Sequence, residues 1–64
     1  MSFHVELDRE EDGRWIAEIH ELPGVMAYGA SQEEAKAKVE ALALRVVADK
    51  IEENKRSILA VTFA

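Results

Sequence analysis

Between Leu22 and Ala35 the chain reads Leu-Pro-Gly-Val-Met-Ala-Tyr-Gly-Ala-Ser-Gln-Glu-Glu-Ala, and this stretch restricts the fold more than any other. Pro23-Gly24 is a strong turn dipeptide, because proline presets φ and glycine accepts a positive φ. Val25 to Tyr28 then reads as a short strand that Gly29 ends. Ser31, followed three residues later by Glu34, forms a capping box in which each side chain satisfies an orphan N–H at a helix start. A strand that feeds a helix through so short a loop determines where the helix lies on the sheet.

The flanking sequence supplies the rest of that sheet. Phe3, Val5 and Leu7 alternate with His4, Glu6 and Asp8, the pattern of a half-buried strand. A charged loop follows, Arg9 to Gly13, with Asp12-Gly13 as a hairpin signal. The next strand sets Trp15, Ala17 and Ile19 on one face and Arg14, Ile16, Glu18 and His20 on the other. Matching apolar faces brings Phe3, Val5 and Leu7 beside Trp15, Ala17 and Ile19 on the core side. With Val25–Tyr28 added, the expectation is a three-stranded antiparallel meander.

A helix is expected from Ser31 to about Glu52 or Glu53, in a segment rich in Ala, Leu, Glu and Lys. Glu33 and Glu34 suit its positive end, and Lys50, Lys55 and Arg56 suit its negative end. Asn54 is the expected left-handed C-cap. At about 100° per residue, Ala35, Val39, Leu42, Ala43 and Val46 form the core stripe. Leu44, Ala48 and Ile51 fall almost opposite, with Val47 between, and make a second apolar patch suited to subunit or partner contact. Ser57 to Phe63 alternates Leu59, Val61 and Phe63 against Ile58, Ala60 and Thr62, a final strand. The order β-β-β-α-β defines an α+β fold with a single helix on one sheet face.

At 64 residues the chain is expected to be a single domain spanning 1–64, with a marginal core that favours homo-oligomers, dimers or larger. It has no cysteine, which removes disulfides, thiolate metal sites and cysteine nucleophiles. No apolar run reaches membrane-span length, and the first residues lack a signal-peptide pattern; a cytoplasmic protein is the expectation. With 13 acidic against 8 basic residues and a net charge of −5, the chain lacks the clustered cations that phosphate backbones demand. Direct nucleic-acid binding by this chain is not expected, and a basic protein partner suits the charge better.

Candidate chemistry is sparse. His4 and His20 lie on the outer sheet face with Glu6, Asp8 and Glu18, donor types that suit zinc. A charged outer face is also ordinary for an antiparallel sheet, so no metal or other cofactor is assigned. The relative placing of His4 against Glu18 or His20 depends on strand register. No nucleophile has a base to activate it, and one helix over a small sheet leaves little concave volume. The chain is not expected to be an enzyme. Trp15 and Tyr28 are assigned to packing or interface roles.

The string from Asp12 to Ala35 resembles the HicB family in its acidic-Gly turn, aromatic-led strand, Leu-Pro-Gly, short strand, Gly-x-Ser and Glu-Ala helix opening. The resemblance runs from Phe3 through the helix and fades in the last strand; His20 stands where that family often has proline. It implies a partial ribonuclease-H-like fold without that enzyme's catalytic acids, the last strand parallel beside the first. It also implies an antitoxin that self-associates and masks a small basic messenger-RNA-cleaving toxin, HicA-like. The C-terminal DNA-binding segment that many such proteins carry is not expected here. On this reading Asp12, Gly13, Pro23, Gly24, Gly29, Ser31 and Glu34 hold the scaffold. Glu6, Asp8, Glu18 and His20 are candidates for toxin contact, and Leu44, Val47, Ala48 and Ile51 for the oligomer or partner interface. An interaction domain with no toxin partner is the alternative.

Overall fold

The computed structural model describes residues 1–58 and 60–64; Leu59, assigned to the final strand on sequence grounds, lies outside the described residues. Alternating apolar and polar positions form β1 (Ser2–Phe3), β2 (Val5–Arg9), β3 (Trp15–Ile19) and β4 (Met26–Gly29). They are followed by α1 (Gln32–Asn54) and β5 (Thr62–Phe63). β2, β3 and β4 make the expected antiparallel meander. Its register sets Val5 against Ile19 and Leu7 against Ala17, which places the apolar side chains of both strands on one face.

Turn chemistry sets this register. Glu10 N–H bonds to the Arg14 carbonyl at 2.7 Å and Gly13 N–H to the Glu10 carbonyl at 3.0 Å, while Gly13 has φ +92°. The hairpin is therefore a three-residue loop closed by a left-handed glycine. Asp12 fastens it, accepting from Arg14 N–H at 3.0 Å and Arg14 Nε at 2.7 Å. Between β3 and β4, Val25 N–H bonds to the Leu22 carbonyl at 3.0 Å. Pro23 follows at the second position and Gly24 at the third with φ +87°, the requirements of a type II turn.

Gly29 lets the helix start against the sheet. It is buried, and a Cβ built there would lie 2.5 Å from Ala35 N and 3.0 Å from Ala35 Cα. No side chain fits in that gap. Ser31 is the N-cap, its Oγ accepting from Glu34 N–H at 3.1 Å. The Glu34 carboxylate pairs with Lys38 Nζ at 2.9 Å, so the capping box contributes chiefly through its serine. The other helix end differs from expectation. Asn54 is the last helical residue, and Lys55 takes the left-handed cap with φ 55°, its N–H bonded to the Ile51 carbonyl at 2.7 Å. The last turn carries no basic residue.

The buried helix residues are Ala35, Val39, Ala43 and Val47, a stripe with a strict spacing of four. Each step of four advances about 40° around the axis, so the stripe winds, as a ridge inclined to the helix axis does. This corrects the flat core face: Leu42 and Val46 are half-buried, and Val47, read as part of an outer patch, is 4% exposed and belongs to the core. Ile51 is half-buried and packed against that core. Val39, fully enclosed, contributes about 1.5–3 kcal/mol of burial by itself.

β5 lies parallel to β1, with Ser2 opposite Thr62 and Phe3 opposite Phe63. Thr62 N–H reaches the Met1 carbonyl, Ala64 N–H the Phe3 carbonyl and Val5 N–H the Ala64 carbonyl, each at 2.9 Å. The rings of Phe3 and Phe63 stand 5.7 Å apart. The N-terminal strand thus serves two ladders and is interrupted between them at His4. Ser57, Ile58, Ala60 and Val61, expected in the final strand, lie outside it. The result is a small α+β fold: a three-stranded antiparallel sheet, one helix on its apolar face, and a short parallel return strand.

Candidate protein-binding face

The sheet face turned away from the helix is assembled by strand alternation. Glu6 and Asp8 come from β2, Ile16 and Glu18 from β3, and Met26 and Tyr28 from β4. Register aligns them in two rows, Glu6–Glu18–Met26 and Asp8–Ile16–Tyr28. One side of the face is acidic and the other apolar and aromatic. Met26 is 40% exposed and Tyr28 41%, while Ile16 is half-covered between Asp8 and Tyr28.

Glu6 and Glu18 sit directly opposite, an arrangement that like-charge repulsion disfavours. His20 answers it from the diagonal position: its Nε2 lies 2.5 Å from Glu6 Oε2. That hydrogen bond and the Glu6 charge raise the His20 pKa above its ordinary value. Register, left open by sequence, is thereby settled. His20 N–H bonds to the His4 carbonyl at 3.2 Å, and His4 lies beside His20.

At the same end Glu21 performs a task that its sequence position did not announce. His4 N–H, which an unbroken ladder would direct to the chain opposite, donates to Glu21 Oε1 at 2.8 Å. His4 Nδ1 meets Glu21 Oε2 at 2.5 Å. The carboxylate stands in for a strand carbonyl just where β3 turns away. The main-chain bond from His4, then its side-chain bond, hold the Glu21 pKa down to about 2. At the opposite end the Arg14 guanidinium stacks 4.5 Å from the Tyr28 ring centroid. Arg14 N–H, donating to Asp12, is the main cause of that carboxyl's lowered pKa. On the helix side, Arg9 lies 5.8 Å from the Trp15 centroid. The signal for these stacks was an arginine next to an aromatic across a hairpin, which sequence reading did not use.

The face therefore offers carboxylates, two histidines tied to carboxylates, and an exposed Met–Tyr edge. Among the described residues, no three His, Asp or Glu side chains are arranged to hold a metal ion. A cavity of about 290 Å³ lies away from these acids, at the far helix end, lined by Met1, Lys50, Ile51, Asn54, Arg56 and Ile58 among others. Of the expected contact residues, Glu6, Asp8, Glu18 and His20 share this face and are all exposed. Leu44, at 46% exposure, and Ala48 are at the helix surface, apart from the enclosed Val47 and half-enclosed Ile51. No described helix is long and apolar enough to cross a membrane.

The chain matches no protein-family model, and no curated protein or solved structure matches it.

Proposed function

We propose that this chain is a HicB-like antitoxin-type domain with a partial ribonuclease-H-like fold, which self-associates and masks a small basic, messenger-RNA-cleaving toxin of HicA type. The observation that carries this reading is the division of the outer sheet face into an acidic side and an exposed Met26–Tyr28 side. A flat face of that composition suits a cationic protein surface. Opposite potentials steer the encounter, and aromatic and thioether side chains supply the desolvated contact area. The parallel return of β5 beside β1 and the Leu-Pro-Gly turn support the fold assignment. Inhibition by steric covering needs no reacting group on this chain, and so calls for no catalytic residue or cofactor here.

Co-expression with the small basic protein encoded by a neighbouring reading frame tests the proposal. Growth arrest caused by that protein is relieved by the wild-type chain and not by Glu6→Lys/Asp8→Lys/Glu18→Lys. Absence of such a reading frame, or relief that survives the triple charge reversal, refutes it. The exposed Leu44, Met26 and Tyr28 also favour a second reading, a self-associating interaction domain with no toxin, which the first of those negative results would select.

A further inference from the structure

We infer that β4 is a homodimerisation edge: two copies join their β4 strands antiparallel, about a two-fold axis at Ala27, into one continuous sheet. Hydrogen-bond alternation in the meander determines which main-chain groups are free. Ile19 N–H bonds to the Val25 carbonyl at 3.1 Å, so Val25, Ala27 and Gly29 direct their N–H and C=O toward β3. The intervening residues, Met26 and Tyr28, direct theirs to the open side. Among the described residues no strand lies beyond β4.

Three features favour a second copy as the occupant of this edge. The first is register. With Ala27 on the axis, Met26 of each copy faces Tyr28 of the other in a hydrogen-bonded pair, giving about four main-chain bonds. The same pairing sets Met26 of one copy beside Tyr28 of the other on the outer face, joining the two exposed apolar strips into one. The second is charge. The 11 residues Leu22–Gln32 are the longest stretch without Asp, Glu, Lys or Arg in a chain of net charge −5. Two copies that repel elsewhere approach here with no like charges opposed. The third is the absence from β4 of the devices that blunt an edge: within Met26–Gly29 there is no lysine, no proline and no inward charge.

The pairing rests on the reading of this domain as a contact module. Its test uses the isolated chain, so loss of the toxin reading leaves it standing. The chain is short enough for chemical synthesis, which permits N-methylation of Tyr28. That change removes the outward N–H and blocks the edge while sparing the β3 ladder. Sedimentation of the wild-type chain gives twice the single-chain mass. The N-methylated chain dissociates about a hundredfold more readily, as expected for two lost bonds and a steric block, with an unchanged circular dichroism spectrum. A wild-type chain of single mass at millimolar concentration overturns the inference. So does an N-methylated chain that still dimerises, which would move the interface to the helix surface at Leu44, and so do open-ended assemblies. Should the methylated chain fail to fold, amide exchange in the wild-type chain decides. Concentration-dependent slowing at Met26 and Tyr28 supports the dimer. No slowing, or slowing that appears only with a basic partner, rejects it.

Discussion

Gly29→Ala separates two opposing effects by sign. Gly29 is an extended strand residue, absent from the positive-φ glycines Gly13 and Gly24, so its backbone conformation is open to alanine. On conformational entropy alone, the substitution would stabilise the fold by about 0.4–1 kcal/mol. Against this stands the approach of the helix. The new methyl group would meet Ala35 N at 2.5 Å, Ala35 Cα at 3.0 Å and Glu34 C at 3.0 Å. All three are main-chain atoms of the first helical turn, which no rotamer change can move aside. Overpacking of this kind costs about 1–3 kcal/mol, and with rigid neighbours the upper end applies. The net expectation is a loss of about 2 kcal/mol, which in a domain of this size lowers the thermal midpoint by roughly 8–16 °C. Thermal unfolding followed by far-ultraviolet circular dichroism reads it. Gly24→Ala is the control: nothing lies within 4 Å of its built Cβ, so any loss there comes from the positive φ alone. An unchanged or raised midpoint for Gly29→Ala would show that the helix does not press on β4 as described.

Further substitutions probe the remaining features. Lys55→Gly relieves a left-handed conformation in a residue with a Cβ and raises stability by about 1 kcal/mol, measured by urea titration; a loss would refute the αL cap. Ser31→Ala removes the acceptor of Glu34 N–H and costs about 1 kcal/mol. Val47→Ala destabilises by about 1–3 kcal/mol, whereas Leu44→Glu stays within about 0.5 kcal/mol; equal effects would contradict the winding core stripe. Glu21 has a folded pKa of about 2 against an ordinary 4.5. Its contribution is whole above about pH 4.5 and lost as pH falls through about 2, so the wild-type advantage over Glu21→Gln in thermal midpoint must vanish across that window. His20, raised above 6.5, acts in the opposite sense: its contribution is full below 6.5 and lost as pH rises through the folded value. Its imidazole titration by NMR moves down in Glu6→Gln.

Local chemistry was legible where one residue type answers one geometric need. Pro23-Gly24 specified its turn, Ser31 its cap, and the alternation through Phe3–Leu7 and Trp15–Ile19 identified the core-facing side chains before register was known. Positions governed by tertiary fit were not. Asn54 is the better left-handed residue, yet the helix runs through it and stops at Lys55. The stripe through Val47 follows an inclined ridge, so projection onto a straight axis assigned Val46 to the core in its place. Glu21 escaped notice because its task arises from a ladder that ends at His20, a fact of pairing rather than composition. The polar half of the outer face was readable as three acids and His20, while its apolar half at Met26 and Tyr28 emerged only with the β4 register.

Sharing the amino-terminal strand between two ladders orders events in time as well as space. Phe3 and its neighbour Phe63 are 60 residues apart, so their contact closes a far longer loop than any pairing within the meander. The hairpin and the front of the helix rest on contacts near in sequence and can form first. The seam between Ser2–Phe3 and Thr62–Phe63 closes last, and until then one aromatic ring has no partner. A folding chain of this kind is vulnerable along that unpaired strand until the return strand docks.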